Sequence, residues 1–278
     1  MQDKVIVITG ATSGIGQIAA GRLAAQGARI VLIARDPARA DRTLARLRAA
    51  GRQAEHRAYL ADLSSLAEVR QVAAAIAAEE PRIDVLINNA GNIFARRGET
   101  VEGLERTFAL NHMAYFVLTR ELKARLLASA PARIVNTASR AHRGNSLDFD
   151  DLQMRKDYRA LIAYGRSKLA NILFTRELAR RLAGTGVTAN CLHPGFVATG
   201  LGQRGAGFFG IMVRASMLFA GKAEDGAKTV VHLAAAPELA TTTGGYFADC
   251  RPVTPSLDAQ DDAAAKRLWE ESERLAGL

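Results

Sequence analysis

Short apolar runs rich in β-branched residues alternate along this chain with longer stretches whose apolar positions recur at helical spacing. The first pattern fits strands buried on both faces, the second helices buried on one. Lys4 to Thr9 predicts a first strand, and Ile15 to Gln26 a helix closed by Gly27, a residue suited to the left-handed backbone of a C-cap. Arg29 to Ile33 predicts a second strand. Pro37 to Ala50 predicts a helix that proline starts and Gly51 stops. A third strand over Gln53 to Tyr59, a helix over Ser65 to Glu79 and a fourth strand over Asp84 to Ile87 follow. Val101 to Leu127 carries one or two helices, and Arg133 to Thr137 a fifth strand. A helix from about Ala160 to Leu182, closed by Gly184, leads to a sixth strand over Val187 to Leu192. This alternation predicts an α/β fold, a single doubly wound domain over residues 1–278 with helices on both faces of a parallel sheet. Two stretches break the rhythm: polar residues 140–159, and Phe196 to Gly221, rich in Gly, Phe and Met. Both follow strand C-termini, where such a sheet places its ligand crevice.

Composition narrows the class. A chain of 278 residues, 49% hydrophobic, can bury a sizeable core. No apolar run nears the ~20 residues of a membrane span, so no integral membrane segment is expected. Met1-Gln-Asp-Lys4 runs straight into a strand, which argues against a signal peptide and for a cytoplasmic protein. Cys191 and Cys250 make no disulfide framework, and no His/Cys cluster has metal-ligand spacing. The net charge of +9 would suit a polyanion. Yet the basic residues interleave with acids, as in Arg35-Asp36 and Arg39-Ala-Asp41-Arg42, with neither a basic run nor interleaved aromatics. No nucleic acid partner is expected, and the charge is available to attract an anionic cofactor.

Three constellations carry chemistry. Tyr164 and Lys168 stand one helical turn apart, a phenol beside an ammonium. A neighbouring cation lowers a phenol's pKa, so Lys168 is expected to tune Tyr164 for proton exchange near neutral pH. Thr9-Gly10-Ala-Thr12-Ser13-Gly14-Ile15-Gly16 joins the first strand to the first helix. Glycine there lets a pyrophosphate approach a helix N-terminus, although a tight strand-helix connection would ask for the same residues. The second strand ends Ile33-Ala34-Arg35, with alanine where an NAD site carries its ribose-binding acid. Arg35 suits a 2′-phosphate, or it is a surface arginine paired with Asp36.

With these motifs in this order, the chain resembles the short-chain dehydrogenase/reductase family over residues 4 to about 250. The glycine turn, Asn88-Asn89-Ala90-Gly91 after the fourth strand, Tyr164-x-x-x-Lys168, and Pro194-Gly195 after the sixth strand are similar to that family's motifs. The resemblance implies a Rossmann domain that binds NADP through Gly10, Thr12, Ser13, Gly14, Ile15, Gly16 and Arg35. It implies that Asp62, next to Leu63, binds the adenine amino group and that Asn89, Ala90 and Gly91 line the adenosine side. Pro194, Gly195, Val197 and Thr199 would serve the nicotinamide and pyrophosphate. Ser139 would hydrogen-bond the substrate oxygen, Tyr164 act as acid/base, Lys168 hold the ribose, and Asn111 anchor a water in the proton relay. Thr137 is the closest alternative hydroxyl to Ser139, and Asn111 has a second reading as the brace of its own helix.

Ser139-Arg-Ala-His142, Asp148-Phe-Asp-Asp-Leu152 and Tyr164-Gly-Arg-Ser-Lys-Leu-Ala-Asn171 are similar to the retinol dehydrogenase group. That similarity implies hydride transfer between NADPH and a small apolar aldehyde, ketone or alcohol. Residues 196–221, with Phe208, Phe209, Met212, Met217 and Phe219 among flexible glycines, are expected to form a substrate lid. Family analogy suggests a homodimer or homotetramer. A cofactor-binding regulator of the same fold, without turnover, is the competing expectation.

Overall fold

The computed structural model describes residues 1–50, 55–195 and 223–278. The strands are β1 (Val5–Thr9), β2 (Arg29–Ala34), β3 (Arg57–Leu60), β4 (Val85–Asn88), β5 (Ala132–Thr137), β6 (Val187–Leu192), β7 (Tyr246–Ala248) and β8 (Arg251–Pro252). They form one sheet in the order β3-β2-β1-β4-β5-β6-β7-β8. Every pairing is parallel except that of β7 with β8. The chain moves outward from β1 to β3, then returns to the other side of β1 as β4. That reversal opens a crevice at the C-terminal ends of β1 and β4, where a doubly wound sheet binds its ligands.

Alternation along β1 divides the core. Ile6 and Ile8 point to the face covered by α1 (Gly14–Ala25), α2 (Pro37–Ala50) and α7 (Ala223–Ala235). Val5 and Val7 point to the face covered by α3 (Leu66–Glu79), α5 (Ala114–Ala128), α6 (Ala160–Arg181) and α8 (Asp262–Ala276). Burial on both faces is why β1, β2 and β4 read as apolar runs.

Differences from the sequence expectations have local causes. Val101 does not begin a helix and is 92% exposed. Gly103 turns the chain at a φ of 74°, and Glu99 bridges Glu105. The helix starts only after Glu105, whose carboxylate caps it by accepting from the Thr107 and Phe108 amides. The short α4 (Arg106–Phe108) then passes through a π-helical turn, Ala109–Met113, into α5. The third strand starts at Arg57, not Gln53; Gln53 and Ala54 lie outside the described residues. Asp84 precedes its strand and instead accepts from Lys4, Arg82 and the Val5 amide. The sequence reading assigned no element to α7, β7, β8 or α8. Yet Asp261 caps α8 through the Ala264 amide, and Gly277 ends it at a φ of 68°. Among the described residues, no helix is long and apolar enough to cross a membrane.

Candidate active site

The glycine turn is shaped first by the protein's own packing. Gly10 has a φ of 70°, and a Cβ there would stand 2.9 Å from the Ala90 Cα. A Cβ on Gly16 would fall 2.3 Å from the Gly10 carbonyl oxygen. α1 can therefore meet the sheet only with glycine at 16. Thr9 and Asn89 join the two crevice strands: the Thr9 hydroxyl accepts from the Asn89 and Ala90 amides at 2.8 and 3.0 Å. Asn89 Nδ2 donates back to the Thr9 carbonyl at 3.1 Å. Ser13 N-caps α1 without a side-chain bond, so the first-turn amides of Gly14, Ile15 and Gly16 face outward with the positive end of the helix dipole. Beside Thr12 and Ser13 lies a recess of about 260 Å³ lined by Gln17, Arg39, Arg42, Thr43 and Arg46. The three arginines were missed by the sequence reading. Their spacing along α2 was the available signal.

Arg35, exposed after β2, does not pair with Asp36. It reaches Asp62 at 3.5 Å, while Asp36 pairs with Arg39. Burial alone would raise the Asp62 pKa, but the Ser64 amide and hydroxyl and the Arg35 guanidinium hold it below the usual carboxylate value. Leu63 is buried beside it. Thus the predicted adenine-side and 2′-phosphate residues meet at one rim of the crevice.

At its centre, α6 carries Tyr164 and Lys168 on one face, and Ser139 follows β5. The Ser139 hydroxyl accepts from the Ala141 amide at 3.1 Å, capping the 3-10 turn Arg140–His142. Ser139 also stands close enough to the Tyr164 phenol to pull its pKa down. Lys168 Nζ lies 5.6 Å from the Tyr164 ring centroid and donates to the Thr137 carbonyl at 3.0 Å. Thr137 therefore contributes its backbone, and Ser139 is the hydroxyl that meets the phenol. The expected lowering of the Tyr164 pKa is corrected. Burial raises it, against a smaller downward pull from Ser139. Burial also drags Lys168 down to about 7, so ammonium and neutral amine coexist at neutral pH.

Asn111 ties the loop at Asn92 to α6 through its side chain rather than holding its own helix. It sits in the π-helical turn, wholly buried. Its Oδ1 accepts from the Asn92 amide at 2.8 Å, and its Nδ2 donates to the Asn92 carbonyl and the Ser167 hydroxyl. These bonds brace the loop after Gly91, where a Cβ would sit 3.1 Å from Asn111 Oδ1 and 3.3 Å from Lys168 Nζ. At the other rim, Gly195 has a φ of 81° and its amide donates to His193 Nδ1 at 3.0 Å. Pro194 packs on α7, where a Cβ at Gly226 would be 2.9 Å from its carbonyl oxygen. Val197, Thr199 and the expected lid at 196–221 lie outside the described residues.

Two supporting residues escaped the sequence reading. A Cβ at Gly165 would lie 2.7 Å from the Ala141 carbonyl oxygen and 2.4 Å from Asn145 Nδ2, so glycine lets the Ser139 turn press onto α6. The His142 ring donates through Nδ1 to the Ser139 carbonyl at 2.7 Å and accepts at Nε2 from the Ser256 amide at 3.1 Å. An open pocket of about 530 Å³ beside Tyr164 is lined by Ala141, Gly144, Leu161, Ile162 and Arg166, among others.

A glycine-rich turn at a reversal point and a Ser-Tyr-Lys cluster at its centre define a nicotinamide-dependent oxidoreductase fold. The family profile described as short chain dehydrogenase matches residues 4–206, and the chain belongs to the short-chain dehydrogenase/reductase family. Within it, the chain is 41% identical over 296 residues to retinol dehydrogenase 14 of Homo sapiens, covering 100% of this chain and 88% of that one. It is 42% identical over 283 residues to Homo sapiens retinol dehydrogenase 13, at 99% and 85% coverage. Among solved structures, Pseudomonas aeruginosa RhlG in an NADP active-site complex superposes with a TM-score of 0.70 at 31% identity, covering 89% of this chain and 94% of that one. An uncharacterized Mycobacterium paratuberculosis protein reaches a TM-score of 0.80 at 30% identity, over 99% and 94% of the two chains.

Proposed function

We propose that the protein is an NADP(H)-dependent oxidoreductase that interconverts a small apolar aldehyde or ketone and its alcohol. The observation that carries this reading is the meeting of half-buried Ser139 and Tyr164 with buried Lys168 beside an open pocket. The donor set suits the cofactor. The uncapped first turn of α1 offers amides to a pyrophosphate. Arg35, Arg39, Arg42 and Arg46 ring the adenosine rim with positive charge fit for a 2′-phosphate. Bound there, NADPH would supply the hydride.

The chain's own groups handle the oxygen and the proton. Ser139 and Tyr164 direct hydroxyls at the carbonyl oxygen, where negative charge develops. Tyr164 gives that oxygen its proton, and Lys168, titrating near 7, stabilises the phenolate left behind. The mostly apolar pocket at Tyr164 and the retinol dehydrogenase relatives support an apolar substrate. The test is cofactor oxidation against aldehydes and ketones graded by chain length, with NADPH and NADH side by side. The expected result is turnover with NADPH that rises with chain length. In the Tyr164→Phe protein kcat should fall by roughly 10²–10⁴-fold with NADPH still bound. Tight NADPH binding without turnover on any carbonyl would sink the enzymatic reading.

A further inference from the structure

Asn171 is wholly buried on α6, three residues past Lys168, and the proton transfer described above does not use it. A carboxamide has two N–H donors. Asn171 Nδ2 directs both at backbone carbonyls of other elements: Asn111 in the π-helical turn at 2.9 Å and Thr137 at the end of β5 at 3.2 Å. Lys168 Nζ donates to that same Thr137 oxygen at 3.0 Å. A carbonyl oxygen has two lone pairs, so these two donors saturate it. The carbonyl that holds the ammonium is thus itself held, and the turn bearing Asn111 is tied to it through one side chain.

Close to the amide stands His112, whose imidazole pKa burial lowers to about 4. His112 Nε2 lies 2.9 Å from the Ser272 hydroxyl of α8. Turning the amide over would point its oxygen at two carbonyl oxygens. A leucine would fill the same space without the cost of burying a polar group. An amide here is therefore explained by the bonds it makes.

We infer that Asn171 is a positioning residue, which fixes the Thr137 and Asn111 carbonyls and thereby sets the Lys168 ammonium beneath Tyr164. The inference deepens the proposed reaction and rests on it for the consequence in turnover, but not for the placement of Lys168. Asn171→Leu keeps the volume and removes both donors. Two readouts apply: carbonyl reduction, and the titration of Lys168 followed by NMR of lysine labelled at 13Cε, with Lys168→Arg assigning its signal. Besides its carbonyl partner, the ammonium is faced by the Tyr164 and Tyr115 rings, neither of which the substitution alters. The expected result is a kcat about tenfold lower or more, KM for the carbonyl substrate nearly unchanged, and a displaced Lys168 midpoint. Asn171→Ser, which can serve only one carbonyl, should fall between, and it carries both readouts should the leucine variant not fold. An unchanged kcat and Lys168 midpoint, even with a lower Tm, would overturn the inference and leave Asn171 a merely structural residue. If the wild type reduces no carbonyl at all, the proposed function falls while the Lys168 titration still decides the positioning role.

Discussion

Lys168 is a misfit as a core residue, and its cost is measurable. Its pKa falls from the ordinary lysine range to about 7 in the folded protein. Between those values the unfolded chain binds more protons, so stability climbs as pH rises through that window, and the penalty is fully present below about 7. Lys168→Met should therefore raise Tm by several degrees at pH 6.5, and by less near pH 10, while turnover is lost. A lower Tm at pH 6.5 would mean that the bond to Thr137 outweighs the desolvation. Arg35 is tested at the same scale. Arg35→Ala should weaken NADPH by about tenfold or more and leave NADH nearly unaffected, in paired fluorescence titrations. Equal losses would refute a 2′-phosphate contact and leave the Asp62 pair as the residue's role. Tyr164 and Lys168 stood out by their spacing on one helix, whereas Ser139 and Asn111 were named only through the family resemblance. Asn171, His142 and the arginines of α2 were hidden because each acts only on a neighbour that tertiary contact supplies.

Among elements, the Ser139 turn and α6 matter most, because the proposed reaction needs them pressed together. Gly165 makes that contact possible. Gly165→Ala favours the helix by propensity, yet its methyl would strike the Ala141 carbonyl and Asn145. It should push Ser139 away from Tyr164, lowering kcat at least tenfold with NADPH affinity intact, at about 1–3 kcal/mol in stability. Unchanged kinetics would show that the turn can shift without consequence. Most elements were legible because strands buried on both faces are uniformly apolar and helices end at recognisable caps. The start of α4 was misread because Glu105, six residues after Glu99, caps the helix where propensity alone would extend it. The π-helical turn that carries Asn111 has no mark in composition.

Across the whole molecule, buried imidazoles set the response to acid. Burial lowers the pKa of His56, His112, His142 and His193, with His112 reaching about 4. A depressed histidine stabilises the fold above its unfolded value near 6.5, and that contribution is lost as pH falls toward 4. His112 alone would contribute roughly 3 kcal/mol over that window. The urea midpoint should drop steeply between pH 7 and 4.5, and His112→Asn should flatten the slope. A midpoint independent of pH would show that these rings protonate as readily in the folded protein as in the unfolded chain. The order of the strands was not readable from periodicity, which predicts elements without saying which lie side by side. The structure supplied it. The ties from His142 to Ser256, from Arg143 to the Thr254 carbonyl and from His112 to Ser272 run from the catalytic centre to the far end of the chain. Synthesis proceeds from the N-terminus, so Ser139, Tyr164 and Lys168 emerge long before the residues that brace them. On the ribosome the sheet can begin to assemble early, but the Ser139–Tyr164–Lys168 centre is fully braced only once the segment carrying Thr254, Ser256 and Ser272 has emerged.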